Sequence, residues 1–259
     1  MIVRSNPPRI HSVQRAAAIL RTFSHTAPEL GVSEIGRQLK LHKSTVSRLL
    51  ATLEGEGLVE RVAQNDKYRL GREVARLAAH APHLSDVGDV ARPFLESLAT
   101  YTGETINLAL LDSDEVLNVA QASGPHLVGG SNWVGRRTPF HCVANGKALL
   151  AFQSRDVIEH ALTKPLLRFT PRTVTSKAAL RAELARVRAC GYATARGELE
   201  EGLNAVAAPI WNARAEVVAA LSVSGPAYRV KPARFRSLGA LTARVAEQIA
   251  ARLADGPFA

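Results

Sequence analysis

Basic and hydroxyl-bearing residues are concentrated in one window near the start of this 259-residue chain. Between Ile35 and Leu53 the sequence contains no acidic residue. The basic and hydroxyl-bearing residues of this window are Arg37, Lys40, Lys43, Ser44, Thr45, Ser47, Arg48 and Thr52. Arginine can pair in bidentate fashion with guanine, and Ser, Thr and Lys can hold phosphates. The window predicts contact with DNA, although a solvated basic face remains the alternative reading of the charge alone.

The distribution of charge agrees with this prediction. The chain has a formal net charge of +10 and a sequence pI of about 10.2. Its first 80 residues contain 13 basic and 7 acidic residues, whereas the remaining 179 contain 20 and 16. Because a high pI favours a polyanion only where the charge lies on a contact element, the N-terminal third is the expected DNA-binding part.

A second group of residues, in the C-terminal two thirds, has the chemistry to bind an anion. A helix is predicted to begin around Ala144, Asn145 and Gly146, and the unpaired N–H groups of a helix start favour a carboxylate. Ser222 and Ser224 alternate on a predicted strand, so their hydroxyls face the same side. A small organic acid, aromatic or aliphatic, suits this composition. Alternatively, the two serines only satisfy backbone groups at the end of a strand.

Enzyme motifs are absent from the sequence. It contains no G-x-S-x-G elbow, P-loop, H-E-x-x-H motif or dinucleotide glycine pattern. His141 and Cys142 are adjacent, and adjacent residues of a strand point to opposite faces, so we expect no nucleophile pair. Cys142 and Cys190 lack the spacing of a metal site, which fits a reducing cytosol. We therefore expect no enzymatic activity and no cofactor.

Three helices are predicted to position the basic window. Ser12 is expected to cap the first, whose apolar face contains Val13 and Phe23. Ser33 is expected to cap the second, and a connector at 40–42 leads into a third helix that begins at Lys43 or Ser44. The apolar face of the third helix is Val46, Leu49, Leu50 and Leu53. Two short helices with such a connector predict a helix-turn-helix, whose second helix reads the major groove.

A hairpin is predicted directly after the third helix. The β-like runs 58–62 and 67–71 flank a turn at 64–66. Lys67 and Arg69 make the second strand basic, so the hairpin is expected to act as a wing along the DNA backbone. Ser33 and Arg37 of the second helix complete the candidates for DNA contact.

Beyond the wing, the patterns predict a linker helix and a larger sheet domain. Apolar residues from Val74 to Ala81 have helical spacing, and Pro82 and Gly88 are expected to interrupt before a helix at 90–101. The domain boundary is expected near residue 81. Hairpins are predicted around the turns 112–115 and 212–216, with helices at 146–152, 155–160, 177–189 and 234–254. Strand pairs interspersed with helices indicate an α+β domain.

Sequence motifs along nearly the whole chain resemble the IclR family of bacterial regulators. In the first third they are SVQRAAAIL at 12–20, SEIG at 33–36, KSTVSRLLATLE at 43–54 and YRLG at 68–71. In the remainder they are GRRTPFHCVANGKALLA at 135–151, FTPRT at 169–173, GY at 191–192, ELEEGL at 198–203, AAPI at 207–210 and SVSG at 222–225.

The resemblance implies a specific organisation. It implies a winged helix-turn-helix at 1–71, a linker helix at 72–90 and a GAF-like α/β effector-binding domain at 91–259. The implied effector-site walls, beside Ala144, Asn145, Ser222 and Ser224, are Leu127, Gly130, Thr138, Ala195, Leu203 and Ala205. Family members often have acidic residues where Ala195, Arg196 and Gly197 stand, so no relative's effector is carried over.

The resemblance also implies partners and a setting. A homodimer or homotetramer is expected on palindromic, double-stranded operator DNA, with linker contacts between subunits. Some family members bind zinc, so a metal site from His141, Cys142 and Cys190 is an alternative to the absence of metal. The chain has no apolar run long enough to span a membrane and no signal peptide at its start, and a bacterial cytoplasmic location is expected.

Overall fold

The computed structural model describes residues 10–23, 27–79, 84–112, 115–126 and 131–254. Residue contacts divide the chain into two compact units, Met1–Ser85 and Asp86–Ala259. No helix of the described residues is long and apolar enough to cross a membrane.

The first unit contains a three-helix core. Its helices are α1 (His11–Leu20), α2 (Val32–Leu39) and α3 (Lys43–Gly55). Val46, Leu50 and Leu53 of α3 are buried against Ile19 and Ile35, which are both fully buried. Burying each such side chain contributes about 1.5–3 kcal/mol, so this apolar spacing fixes which face of α3 remains outside.

The first two helices begin differently from the sequence prediction. The residue preceding α1 is Ile10, so the predicted cap at Ser12 is wrong, and Val13 is 62% exposed rather than part of the core. The residue preceding α2 is Gly31, so the predicted cap at Ser33 is also wrong. Here the Gly31 N–H donates to Oε2 of Glu34 at 2.7 Å, and the Glu34 N–H donates to the Gly31 carbonyl at 3.1 Å, so the third residue of the helix bonds back to the residue that precedes it.

The predicted hairpin is confirmed as strands β1 (Val59–Val62) and β2 (Lys67–Leu70). Tyr68 of β2 also exchanges two backbone hydrogen bonds, each of 2.9 Å, with Leu30. Because Leu30 lies two residues before the start of α2, this bridge fixes the hairpin against the helix-turn-helix.

Two helices follow the hairpin, α4 (Arg72–Ala79) and α5 (Leu84–Thr102). The predicted interruption at Gly88 is wrong, because α5 continues through it, and the predicted interruption at Pro82 falls outside the described residues. Ala91, Leu95 and Leu98 bury one face of α5. Burial of that face outweighs the cost of a helical glycine, which is about 1 kcal/mol relative to alanine.

A six-stranded antiparallel sheet forms the centre of the second unit. Its strands are β3 (Thr105–Asp112), β4 (Glu115–Ala122), β5 (Arg137–Pro139), β6 (Ala193–Arg196), β7 (Leu203–Trp211) and β8 (Val217–Pro226). Their order is β5-β4-β3-β8-β7-β6. Both predicted hairpins are present, as β3–β4 and β7–β8. The short strands β5 and β6 at the two edges were not predicted.

Helices cover both faces of this sheet, which confirms the predicted fold class. They are α5 on one face with α9 (Phe235–Ala254), and on the other α6 (Ala144–Ala151), α7 (Arg155–Ala161) and α8 (Lys177–Cys190). His141 and Cys142 were predicted in a strand but lie in one 3-10 turn, Phe140–Cys142.

The two faces of the sheet differ in side-chain size. Residues such as Ile106, Leu108 and Leu221 point toward α5 and α9. The alternate residues, which face α6 and α8, are small and include Ala109, Ala195, Ala205, Ala207 and Ala220. Because successive strand residues face opposite sides, the alternation leaves room beneath α6 on one face only.

Candidate functional site

The exposed face of α3 carries the predicted basic and hydroxyl-bearing residues. Lys43, Ser44, Ser47 and Arg48 are exposed and Thr45 is half-buried. Arg37, in the last turn of α2, is exposed as well. Within the described part of the chain, no side chain forms a hydrogen bond or ion pair with the charged groups of Arg37, Lys43 or Arg48. These three cations are therefore available to an external anion.

The connector between α2 and α3 is held by local contacts. Lys40 ends α2 in the left-handed conformation with φ of 54°, and Leu41 N–H donates to the Gly36 carbonyl at 2.9 Å. A Cβ on Gly36 would lie 3.0 Å from the Leu41 oxygen, so the close turn requires a small residue there. His42 precedes α3, and its Nδ1 lies 2.8 Å from the Ser44 hydroxyl. These contacts fix where the exposed face of α3 begins.

The cations of the hairpin are paired, unlike those of α3. Arg69 forms an ion pair with Glu60 across the two strands, and Arg61 pairs with Asp66. Lys67 Nζ lies 3.6 Å from Oε2 of Glu34. Exposed pairs of this kind contribute at most about 1 kcal/mol, so a phosphate can compete for these side chains, but at a cost. Ser33 is exposed on α2.

The second unit contains a cavity beneath the start of α6. It has about 510 Å³ of empty space, part of it open to solvent. Its lining includes eight of the predicted effector-site residues: Thr138, Ala144, Asn145, Ala195, Leu203, Ala205, Ser222 and Ser224. The other two, Leu127 and Gly130, lie outside the described residues.

Sequence reasoning missed several polar and aromatic residues of the lining. These are Asn107, Asn118, Trp133 and Glu198. Asn107 had a readable signal, because it stands between Ile106 and Leu108 in a strand and must face the opposite side of the sheet. Asn118 is similar on β4, whereas Trp133 and Glu198 lie outside the strands and had no periodic signal.

The two predicted serines differ in their contacts. The Ser224 hydroxyl donates to the Thr105 carbonyl at 3.4 Å and accepts from Nδ2 of Asn107 at 3.1 Å. The Ser222 hydroxyl makes no such bond to another described residue, although its residue is only 3% exposed. Ser222 therefore has a donor for a bound molecule, whereas Ser224 helps to orient Asn107.

The first turn of α6 lines the cavity with its backbone. Lys147 N–H donates the first i to i−4 bond of the helix, to Val143 at 3.2 Å, so the N–H groups of Ala144, Asn145 and Gly146 precede it. A Cβ on Gly146 would lie only 2.3 Å from the Phe140 carbonyl oxygen. Glycine is therefore required for this helix start to approach the 3-10 turn so closely. Backbone donors that precede the first bond within a helix favour an anion.

A buried ion pair supports the cavity from behind. The fully buried Nζ of Lys147 lies 2.6 Å from Oε2 of Glu198 and 2.6 Å from Oε2 of Glu183. It also donates to the Thr194 carbonyl at 3.3 Å. Burial raises the pKa of the Glu198 carboxyl, while the neighbouring Lys147 ammonium opposes that rise. The cavity wall thus includes the Glu198 carboxylate, which is already paired with the Lys147 ammonium.

The residues of the alternative metal site do not come together. Cys142 is buried and Cys190 is exposed, and His141 Nε2 lies 2.9 Å from the Leu167 carbonyl. Burial raises the pKa of the Cys142 thiol to about 12. In the described ranges, no three His, Cys, Asp or Glu side chains are grouped so that they could hold a metal ion.

Family models match both units of the chain. A model for the IclR helix-turn-helix domain matches residues 12–63, and a model for the C-terminal region of the bacterial transcriptional regulator IclR matches residues 79–251. The chain belongs to the IclR family. It is an IclR-type, ligand-responsive transcriptional regulator with an N-terminal DNA-binding domain. These matches are to regulators rather than enzymes, as the sequence predicted.

Individual IclR proteins are similar along almost their whole length. The HTH-type transcriptional regulator XynR of Escherichia coli is 36% identical over 229 residues, which are 88% of this chain and 91% of that protein. The HTH-type transcriptional regulator Rv1719 of Mycobacterium tuberculosis is 39% identical over 92% of this chain and 91% of its own length.

Among solved structures, an IclR homolog from Microbacterium hydrocarbonoxydans complexed with 4-hydroxybenzoate has a TM-score of 0.81 to this chain. It is 31% identical, with 93% of this chain and 98% of that one covered.

Proposed function

We propose that this IclR regulator binds a palindromic operator and responds to a small organic acid. The active form is a homodimer, or a homotetramer built from two dimers. A two-fold symmetric protein presents two α3 helices to two half-sites, which makes the operator palindromic. Val74 and Leu77 of α4 support a linker contact between subunits, since Leu77 is 50% exposed within the chain.

The operator contacts come from the helix-turn-helix and the wing. Arg48, Ser47 and Thr45 of α3 read base edges, and Lys43 and Ser44 bind phosphates at its start. Ser33 and Arg37 of α2 and Lys67 and Arg69 of the wing bind the backbone of the DNA. The absence of intramolecular partners for Arg37, Lys43 and Arg48, among the described residues, supports this assignment.

The cavity beneath α6 is the single observation that carries the sensing half of the proposal. The N–H groups at the start of α6 and the Ser222 hydroxyl hold the carboxylate, and the walls are formed by Thr138, Ala195, Leu203 and Ala205. Leu127 and Gly130 belong to the same proposed site. The aromatic acid bound by the Microbacterium homolog supports this ligand class.

A screen of small organic acids by thermal shift tests the proposal, with the operator obtained by selection from random duplexes. A ligand that binds the folded chain raises its melting temperature by mass action, whereas an architectural DNA-binding protein would not respond. Failure of every acid to shift the melting temperature, or to change operator affinity, would contradict the proposal.

The double variant Ser222→Ala and Ser224→Ala should lose the response to the acid and keep operator binding in its absence. The reason is that it removes the Ser222 donor and the hydroxyl that orients Asn107. Operator binding measured by fluorescence anisotropy, with and without ligand, checks this. Ser237→Ala, which changes an exposed hydroxyl bonded to Arg234, is the matched control and should respond normally. An unchanged response in the double variant would exclude the serines.

A further inference from the structure

Asn107 occupies a position in the cavity that structural packing alone does not explain. It lies in β3, directly opposite Ser222 in the register of β3 and β8, and it is 4% exposed. Its side chain lines the cavity, while Ile106 and Leu108 on either side face α5 and α9. A buried amide at the lining of a cavity needs partners for both its nitrogen and its oxygen.

The orientation of the Asn107 amide follows from the neighbouring hydroxyl. Ser224 Oγ has one proton, and it donates that proton to the Thr105 carbonyl at 3.4 Å. The same oxygen can then only accept, so the group that faces it at 3.1 Å must be the Asn107 Nδ2 donor. The amide oxygen consequently points away from Ser224.

This oxygen has no hydrogen-bond partner. Oδ1 of Asn107 is buried and unpaired within the described residues, and so is Oδ1 of Asn145, which lines the same cavity. Leaving a buried acceptor unpaired carries a substantial desolvation penalty. Two such acceptors lie at one cavity, where a bound molecule can supply the donors that they lack.

The charges around the cavity limit which molecule can do so. None of its described lining residues is Lys, Arg or His, and one of them, Glu198, is itself a carboxylate. The nearby Lys147 ammonium is committed to Glu198 and Glu183. Neutral N–H and hydroxyl donors can hold one carboxylate, but a second carboxylate would meet acceptors and no counter-charge.

We propose that the effector is a hydroxylated monocarboxylic acid whose hydroxyl donates a hydrogen bond to Oδ1 of Asn107. This inference rests on the proposed sensing of an organic acid by the same cavity. The carboxylate is held at the start of α6 and by Ser222, and the hydroxyl reaches Asn107. A parent acid without the hydroxyl leaves the amide oxygen unpaired, and a dicarboxylic acid places a second charge among acceptors.

The decisive comparison uses matched acids on the full chain. Lactate is compared with propanoate and malonate, and 4-hydroxybenzoate with benzoate and terephthalate, by isothermal titration calorimetry and thermal shift. We expect at least one hydroxy acid to bind about tenfold or more tightly than its parent acid, and the dicarboxylates not to bind.

Two variants assign that preference to Asn107. Asn107→Leu keeps the number and branching of the side-chain heavy atoms and removes the acceptor, so the ratio between the affinities for hydroxy acid and parent acid should collapse toward one. Asn204→Leu is the matched control. Asn204 is also a buried strand asparagine, with Nδ2 bonded at 2.8 Å to the Val230 carbonyl and Oδ1 unpaired, but it does not line the cavity. In Asn204→Leu, the ratio between the affinities for hydroxy acid and parent acid should equal that of the wild type.

The possible results distinguish failure of the hydroxyl recognition by Asn107 from failure of acid sensing as a whole. Equal binding of hydroxy and parent acids by the wild type overturns the inference and leaves acid sensing intact, and this comparison needs no variant to fold. Retention of the ratio in a folded Asn107→Leu chain overturns the role of Asn107. No binding by any acid of the full thermal-shift screen, while operator DNA is still bound, would overturn both proposals.

Discussion

At the scale of residues, Arg48 and Arg69 differ in what already surrounds their guanidinium groups. The Arg48 guanidinium has no partner among the described residues, whereas that of Arg69 is paired with Glu60. Arg48→Ala should therefore weaken operator binding by about 1–3 kcal/mol and relax the base preference. Arg69→Ala should cost less, because its phosphate contact must replace an existing ion pair. Anisotropy titrations against operator and scrambled duplexes measure both. If Arg48→Ala left both the operator affinity and the base preference unchanged, Arg48 would not be one of the residues that read the bases.

The two cysteines should differ in their reactivity toward alkylating reagents, because one thiol is buried and the other is exposed. Burial raises the pKa of the Cys142 thiol to about 12, while Cys190 is exposed. Because the raised pKa disfavours the thiolate in the folded chain, this thiol contributes stability that is present below pH 9 and is lost between pH 9 and about pH 12. Iodoacetamide at pH near 8 should label Cys190 alone, as read by mass spectrometry, and label both only after unfolding. Equal labelling of both in the native chain would show that Cys142 is accessible.

At the scale of elements, the start of α6 depends on the absence of a side chain. Gly146→Ala places a methyl group against the Phe140 carbonyl, so the helix start must move. We expect a loss of about 1–3 kcal/mol in the free energy of unfolding, together with loss of the acid response. Gly88→Ala in α5 is the control, since its Cβ would meet nothing within 4 Å, and it should stabilise the chain by about 0.4–1 kcal/mol. Denaturant titrations measure both, and a neutral Gly146→Ala would contradict this account.

The same elements show how far the sequence predicts the structure. Apolar spacing located α3, the wing and the two hairpins, because burial of a periodic face decides them. Predicted caps at Ser12 and Ser33 were wrong, since both serines already lie inside their helices, which begin at His11 and Val32. Glu198 was missed as a cavity residue because its place depends on Lys147, which is far away in sequence, whereas Asn107 was missed although its alternation with Ile106 and Leu108 was readable.

At the scale of the whole molecule, the proposed operator and acid sites lie in different units of the chain. If the acid changes operator affinity by some factor, thermodynamic linkage requires the operator to change acid affinity by the same factor. Couplings of this kind typically change affinity about 5–150-fold. Calorimetric titration of the acid, with and without saturating operator, measures how far the operator changes the affinity for the acid. Acid affinity that ignores the operator, while the acid still raises the melting temperature, would show that the cavity does not communicate with DNA.

The row of alanines on the cavity side of the sheet makes this chain a practical scaffold for biosensors. Ala195 of β6 and Ala205 of β7 line the cavity through side chains of a single methyl group, and Val206, which follows Ala205, packs into the core on the opposite face of the sheet. Exchanging these alanines for Val or Leu would shorten the cavity and leave the packing against α5 and α9 in place. New ligand preferences could then be selected at these two positions, with a reporter gene as the readout and the DNA-binding unit unaltered.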